Sequence, residues 1–247
     1  MEVNSNLIFD LGMHRGLDTQ HYLAKGFKVI ALEAVPSLCK IGEDLNKKSI
    51  KSGKLTIVQK ALWNRSGETV SFYVNDEHDD WGSLTKGAAE KGVSKSQKIK
   101  VETITLIDLL TEHGLPYYLK CDLEGGDAIL ATQLLESGET PEFVSIEATS
   151  ADDIAYIRAC GYTEFQIINQ YMNPYTKAPK PAREGAYSDV QFSHHMSGLF
   201  GKELDPEKWI DFSEVMRRFL DWYSLREREV NLGVGWLDIH ATKPNKI

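Results

Sequence analysis

The segment Phe9-Asp-Leu-Gly-Met-His-Arg-Gly-Leu-Asp-Thr19 ends an apolar run in an acid, turns through Gly12 and Gly16, and enters a helix-like stretch. That order lets backbone approach a ligand above a sheet edge. A dinucleotide loop starting at Gly12 needs glycines at 14 and 17, where the chain has His14 and Leu17, so a nicotinamide dehydrogenase is disfavoured. A methyl-donor loop reads acid-x-Gly-x-Gly-x-Gly instead. Asp10, Gly12 and Gly16 match it, and His14 stands in for the middle glycine. Histidine is among the side chains enriched at positive φ, so the turn can survive the replacement. Asp10 is the expected cofactor contact, with a turn cap as the alternative. His14 is read either as part of the cofactor loop or as a surface turn residue. Glu33 ends the next apolar run, 23 residues after Asp10. A carboxylate there can accept hydrogen bonds from both hydroxyls of a ribose, the alternative being a helix-capping acid.

These residues need a scaffold, and the chain reads as one. Short β-branched runs, Leu7-Ile-Phe-Asp-Leu11, Lys28-Val-Ile-Ala-Leu32, Leu55-Thr-Ile-Val-Gln59, Tyr117-Tyr-Leu-Lys-Cys121, Phe143-Val-Ser-Ile-Glu147 and Phe165-Gln-Ile-Ile168, alternate with helical stretches. The rhythm predicts an α/β fold with a mostly parallel sheet and helices on both faces. Asp18, Gly26, Pro36 and Asp127 mark helix ends, with Asp127 as an N-cap. Two regions break the rhythm. In 61–104, Asn64-Arg-Ser-Gly67 separates strand-like segments and the polar loop Asp76-Glu-His-Asp-Asp-Trp-Gly-Ser-Leu84 follows, read as a hairpin insertion and a surface loop. In 171–205, Pro, Gly, Tyr and His abound, and Trp209, Phe212, Met216, Phe219 and Tyr223 then recur at helical spacing. This is a lid-like insertion before the last strand, Gly235-Trp-Leu-Asp-Ile-His240.

Composition sets outer bounds. A chain of 247 residues with 42% apolar residues fits one large domain. Its apolar runs fall short of the roughly 18 residues of a membrane span, and Met1-Glu-Val-Asn-Ser-Asn6 lacks a basic leader region, so a soluble, cytoplasmic protein without a membrane partner is expected. Cys39, Cys121 and Cys160 share no metal-ligand spacing and are expected as buried thiols. The formal charge of −8 gives no general field for nucleic acid, and the four lysines from Lys91 to Lys100 read as a solvated loop.

Further along, Val101-Glu-Thr-Ile-Thr-Leu-Ile-Asp-Leu-Leu110, Leu119-Lys-Cys-Asp-Leu-Glu-Gly-Gly-Asp-Ala-Ile-Leu130 and Val144-Ser-Ile-Glu147, with the opening Ile8-Phe-Asp-Leu-Gly-Met-His-Arg-Gly16, resemble the FkbM family of S-adenosylmethionine-dependent methyltransferases. The likeness covers about 7–147, and the Lys-x-Asp-x-Glu-Gly block is its most specific element. Three departures stand out: His14 where Asn is usual, Ala34-Val35 before Pro36, and Gly126-Asp127 for the common Ala-Glu. The resemblance implies a Rossmann-like, seven-stranded sheet that binds S-adenosylmethionine and commonly methylates a hydroxyl of a sugar or secondary metabolite. It implies one methyltransferase domain over 1–247, with a cofactor-binding core at about 7–170 and 235–242 and the lid at about 171–230. The acceptor is then a small molecule or glycan.

Asp122 and Glu124 follow the fourth strand, where ligands of such sheets sit. They are candidates for acceptor contact, against a structural cluster in which Lys120 pairs with both. An attacking alcohol must lose its proton, and Asp122, His194 and His195 are the candidate bases, Asp122 first for position. Trp81, Tyr171, Tyr175 and Tyr187 can stack on sugar faces or pack the lid. No metal-specific spacing is present, and Asn173-Pro-Tyr175 is read as a turn. A methyltransferase-like binding scaffold without turnover is the non-enzymatic alternative.

Overall fold

The computed structural model describes residues 1–90, 93–227 and 235–244. In chain order the strands are β1 (Val3–Leu11), β2 (Lys28–Leu32), β3 (Leu55–Val58), β4 (Ala61–Leu62), β5 (Thr69–Asn75), β6 (Ser96–Ile104), β7 (Leu115–Cys121), β8 (Phe143–Glu147), β9 (Glu164–Asn169) and β10 (Leu237–Thr242). The helices are α1 (Leu17–Ala24), α2 (Pro36–Leu45), α3 (Lys47–Lys51), α4 (Lys86–Ala89), α5 (Leu106–His113), α6 (Asp127–Ser137), α7 (Ala151–Ala159) and α8 (Phe212–Glu227). Seven strands make the main sheet in the order β3-β2-β1-β7-β8-β10-β9, with β10 antiparallel to both neighbours and the others parallel. The expected mostly parallel seven-stranded α/β sheet is what the chain forms.

Strands covered on both faces read as continuous apolar runs because each side chain meets a core whichever way it points. Along β1, Leu7, Phe9 and Leu11 enter one core and Ile8 the other. The first core is closed by α5, α6, α7 and α8 through Leu109, Leu134, Ile157 and Phe219. The second is closed by Tyr22 of α1 together with Phe200, a residue of the segment expected to be a lid. Phe200 is fully buried, with its ring centroid 4.9 Å from those of both Tyr22 and Tyr118. Nearby, Lys25 Nζ donates to Glu203 Oε1 at 2.7 Å with both side chains buried, a pair costly to break because one charge would stay uncompensated. The structure therefore divides 171–230. Residues around Phe200 and helix α8 are parts of the body, 194–195 border the cavity described below, and 228–230 lie outside the described residues.

The hairpin is also displaced from its expected place. β4 and β5, on either side of Asn64-Arg-Ser-Gly67, do not pair with each other; β4 runs parallel to β6 and β5 antiparallel to it. The hairpin is β5–β6, and its connection is the polar loop that begins at Asp76; Lys91 of that connection lies outside the described residues. Asp127 is the first residue of α6 rather than its cap, which is Gly126. Cys39 and Cys121 are buried as expected, whereas Cys160 is half-buried. Among the described residues no helix is long and apolar enough to cross a membrane.

Candidate active site

At the carboxyl edge of the parallel strands, backbone hydrogen bonds gather three strand ends. The amides of Gly12 and Met13 both donate to the Leu32 carbonyl at 3.0 Å, and the amide of Asp122 donates to the Leu11 carbonyl at 3.0 Å. Gly12 has φ 87°, and a Cβ there would overlap the Asp122 carbonyl oxygen. The glycine is thus required by the close approach of β1 and β7, before any ligand is considered. His14 adopts φ 52°, the left-handed conformation its residue type tolerates. Gly16, at φ 79°, is the N-cap of α1.

A cavity of about 310 Å³ opens above this edge. Gly12, His14, Glu33, Asp122, Glu124, Trp81, Tyr171, His194 and His195 all line it, so nine of the residues singled out from sequence meet in one place. Asp10 and Gly16 do not. Asp10 is wholly buried and accepts from Thr19 Oγ1 at 2.5 Å, with Lys120 Nζ 3.3 Å away. Its carboxylate faces the protein beneath the loop instead of the cavity, because Lys120 and Thr19 reach it there. Tyr175 and Tyr187 also stay outside the cavity wall.

Lys120 ties the floor together. Its ammonium donates to the Gly12 carbonyl at 2.8 Å and lies 3.3 Å from Asp10 and 3.8 Å from Asp122. Burial disfavours that charge, but Asp10, Asp122 and Asp18 hold it well above the ordinary lysine value. The alternative of a structural cluster around Lys120 is met in part: its ion pairs include Asp122 and also Asp10. Glu33 accepts from the amides of Val35 at 2.9 Å and His14 at 2.8 Å, which joins the end of β2 to the glycine loop. Burial raises its carboxyl above the ordinary value, and those two amides oppose the rise.

Opposite the glycine loop, the polar loop after β5 is clasped at two points. Asp79 Oδ1 lies 3.0 Å from His14 Nε2, and Asp79 Oδ2 accepts from Arg15 at 2.6 and 3.1 Å. Burial pushes the Asp79 carboxyl up, but these partners bring it below its ordinary value. Asp80 Oδ2 lies 3.7 Å from His195 Nδ1. Trp81 stacks on His78 at 3.9 Å, and Tyr171 stacks on Trp236 at 5.4 Å and on His194 at 6.2 Å. Asn173, which lies in a 3-10 helix over Gln170–Tyr175 where a turn is expected, donates its side-chain amide to the Met196 carbonyl at 2.6 Å and steadies the segment carrying these histidines.

Glu147, Asp18, Gln170 and Trp236 also line the cavity and are not among the residues singled out as candidates from sequence. Glu147 has a readable signal, an acid closing an apolar strand. Cys121 pairs with Ile146, so Asp122 and Glu147 leave adjacent strand ends side by side. Burial first, then the charges of Asp122, Glu124 and Asp238, drive the Glu147 carboxyl well above its ordinary value. Asp79 and Asp80 have no such signal, because their partners lie 65 and 115 residues away in the chain.

The chain is similar to a methyltransferase FkbM from Methylobacillus flagellatus KT over 68% of its length, at 14% identity and a TM-score of 0.45, and spans 41% of that protein. It is also similar to the precorrin-6y C5,15-methyltransferase of Geobacter metallireducens GS-15, at 11% identity and a TM-score of 0.40, with 98% of this chain and 82% of that one covered. Among curated proteins no match is found. The model of the methyltransferase FkbM domain matches residues 10–177, a span that holds the glycine loop, Glu33, Asp122 and Glu147, and the chain belongs to that family.

Proposed function

We propose that this protein transfers a methyl group from S-adenosylmethionine to a hydroxyl of a sugar or secondary metabolite. The observation that carries the reading is the shared cavity, on which Gly12, Glu33 and Asp122 face one another across the ends of β1, β2 and β7. The donor set suits the cofactor: an acid at the ribose position, a backbone cradle, and carboxylates able to balance a cation. When bound, the cofactor supplies an electrophilic methyl carbon on a positively charged sulfur.

The residues then divide by chemistry. Glu33 accepts from the ribose hydroxyls on lone pairs left by the two amides it already serves. Asp122, whose side chain is 32% exposed, faces the acceptor and takes the proton that its hydroxyl loses on attack. Lys120 holds the Gly12 carbonyl and the Asp122 carboxylate in one frame, which fixes the base relative to the glycine loop. Tyr171 and Trp81 offer ring faces to the acceptor, and Glu124 an acceptor of its hydroxyl hydrogens. His194 and His195 border the same space as alternative bases.

Calorimetry with S-adenosylhomocysteine and, separately, NAD tests the cofactor. Binding of the first alone is expected, and binding of NAD alone overturns the reading. Transfer of a labelled methyl group into a panel of hydroxylated acceptors then tests turnover. Transfer to amines in place of hydroxyls would overturn the O-methyl assignment while keeping the cofactor.

A further inference from the structure

Glu147 closes β8, and no step assigned above uses it. Cys121 pairs with Ile146 in parallel register, so the residues that follow, Asp122 and Glu147, stand abreast at adjacent strand ends. On the other side of β8, Asp238 of β10 lies directly opposite Glu147. Asp122 and Glu147 both line the cavity and are half-buried, whereas Asp238 is buried and accepts from Gln170 Nε2 at 2.9 Å. The carboxyl groups of Asp122 and Glu147 are in hydrogen-bonding contact. An ionised carboxylate only accepts, so one of the two must carry a proton, and two anions this close would repel. The neighbours decide which one. Lys120 Nζ, 3.8 Å from Asp122 Oδ2, favours the anion on Asp122. Glu147 instead faces the acids Asp122, Glu124 and Asp238, and burial with these charges drives its carboxyl well above the ordinary value. The proton rests on Glu147 and the negative charge on Asp122.

We propose that Glu147, as a neutral carboxylic acid, donates to Asp122 and aims that base at the acceptor. Glu147 and Lys120 then hold the Asp122 carboxylate from the protein side, and the lone pairs on its exposed side stay open to the acceptor hydroxyl. Without the proton on Glu147 the two anions would part, and Asp122 would turn towards Lys120 and away from the acceptor. Glu147 is thus a positioning residue that acts through Asp122. The inference rests on the assignment of Asp122 as the base and goes beyond it by naming what sets the direction of that base.

Carbon-13 NMR of the full chain, labelled at the glutamate side-chain carboxyls, follows this proton with no acceptor present. The Glu147 resonance is the one lost in Glu147→Gln. It should be that of a protonated carboxyl at neutral pH, and in Asp122→Asn it should ionise about one pH unit or more lower, since the facing anion is gone. A Glu147 carboxyl ionised at neutral pH, or one whose titration Asp122→Asn leaves unmoved, overturns the inference. Transfer of a labelled methyl group to the panel of hydroxylated acceptors then reads the role. Glu147→Leu cannot donate, so turnover should fall about 10- to 100-fold, the cost of a misaligned reacting group, with S-adenosylhomocysteine affinity within about threefold. Glu147→Gln donates through its amide and should turn over within about threefold of the unaltered protein. Equal losses in the two variants overturn the inference. So does normal turnover in Glu147→Leu when Asp122→Asn is impaired. Normal turnover in Asp122→Asn overturns the base assignment itself, a separate result. Where no member of the panel is methylated, the O-methyl reading fails and the titration alone decides this one. If Glu147→Leu does not fold, the titration and Glu147→Gln carry the test.

Discussion

The glycine-loop wall of the cavity is fastened mainly by backbone hydrogen bonds at the ends of β1, β2 and β7, whereas the facing wall is assembled from side chains of four separate stretches. On the first wall, the Leu32 and Leu11 carbonyls accept from Gly12, Met13 and Asp122, and Glu33 accepts from two further amides. On the second, the His195–Asp80 pair, the His14–Asp79 pair and the Tyr171–Trp236 stack bring the 76–84 loop, the turn after β9, residues 194–195 and the start of the last strand together. Backbone ladders are cooperative and indifferent to side-chain identity; exposed ion pairs and stacked rings are individually weak and replaceable. Such a division suits an enzyme that keeps one cofactor and changes its acceptor, since the variable wall can be rebuilt without disturbing the fixed one.

The largest effect is expected where the fixed wall is broken. Gly12→Val adds a side chain at φ 87° and drives it into the Asp122 carbonyl, so β1 and β7 cannot approach. Loss of S-adenosylhomocysteine binding by at least about 100-fold, with a lowered thermal midpoint, is the expected outcome, since the strained dihedral alone costs about 1–3 kcal/mol. Normal binding by a folded variant would detach the loop from the cofactor. Asp122→Asn comes next and separates the two walls by function. Cofactor affinity should stay within a few-fold while methyl transfer falls about 10²-fold, the scale of a removed general base. Unimpaired turnover would move the base to His194 or His195.

The same division explains what the sequence could and could not reveal. Gly12, His14 and Glu33 lie within one short βαβ stretch, so their spacing alone carries the geometry, and the strand rhythm orders the sheet around them. The place of Asp122 on the cavity wall is legible because it directly follows a strand next to the first. That Asp10 lies off the cavity wall is not legible in sequence for a physical reason: its buried partner Lys120 lies 110 residues on, and an acid facing a buried lysine looks in sequence like one facing a ligand. Phe200 completes a core from within the stretch read as lid-like, because a loop rich in Pro and Gly gives no periodic sign that one of its rings is buried. The clasp of Asp79 and Asp80 depends on contacts across the whole chain, which local pattern does not encode.

An intermediate effect is expected at Glu33, where the fixed wall meets the cofactor. Glu33→Ala should weaken S-adenosylhomocysteine binding by about 1.5–3 kcal/mol and lower the thermal midpoint, because the His14 and Val35 amides lose their acceptor. Its pH dependence has a definite sign. The folded chain raises the Glu33 carboxyl above 4.5, so it holds the proton more tightly than the unfolded chain does. This group's contribution to stability therefore falls as pH rises from the ordinary value through the raised one. Cofactor binding runs the other way, because the ribose hydroxyls need an ionised acceptor, and should decline as pH falls through the raised value. Glu33→Gln should flatten both trends; an affinity equally pH-dependent in that variant would assign the titration to another group.

The smallest effect is expected from the clasp, and it sharpens the comparison most. Asp79 is 40% exposed and Arg15 is 55% exposed, so their ion pair is screened by water and salt. An exposed pair of this kind is worth about 0.2–1 kcal/mol, which limits Asp79→Asn to less than about a fivefold change. The 76–84 loop carries Trp81 and Asp80 on the acceptor wall, so the change should appear in the acceptor's KM, with S-adenosylhomocysteine affinity unaltered. Added salt should raise the acceptor KM of the unaltered protein towards that of the variant, since screening removes the same interaction. A tenfold or larger loss of cofactor affinity in Asp79→Asn would show instead that His14 needs Asp79 to hold its left-handed conformation, and the loop would then belong to the fixed wall.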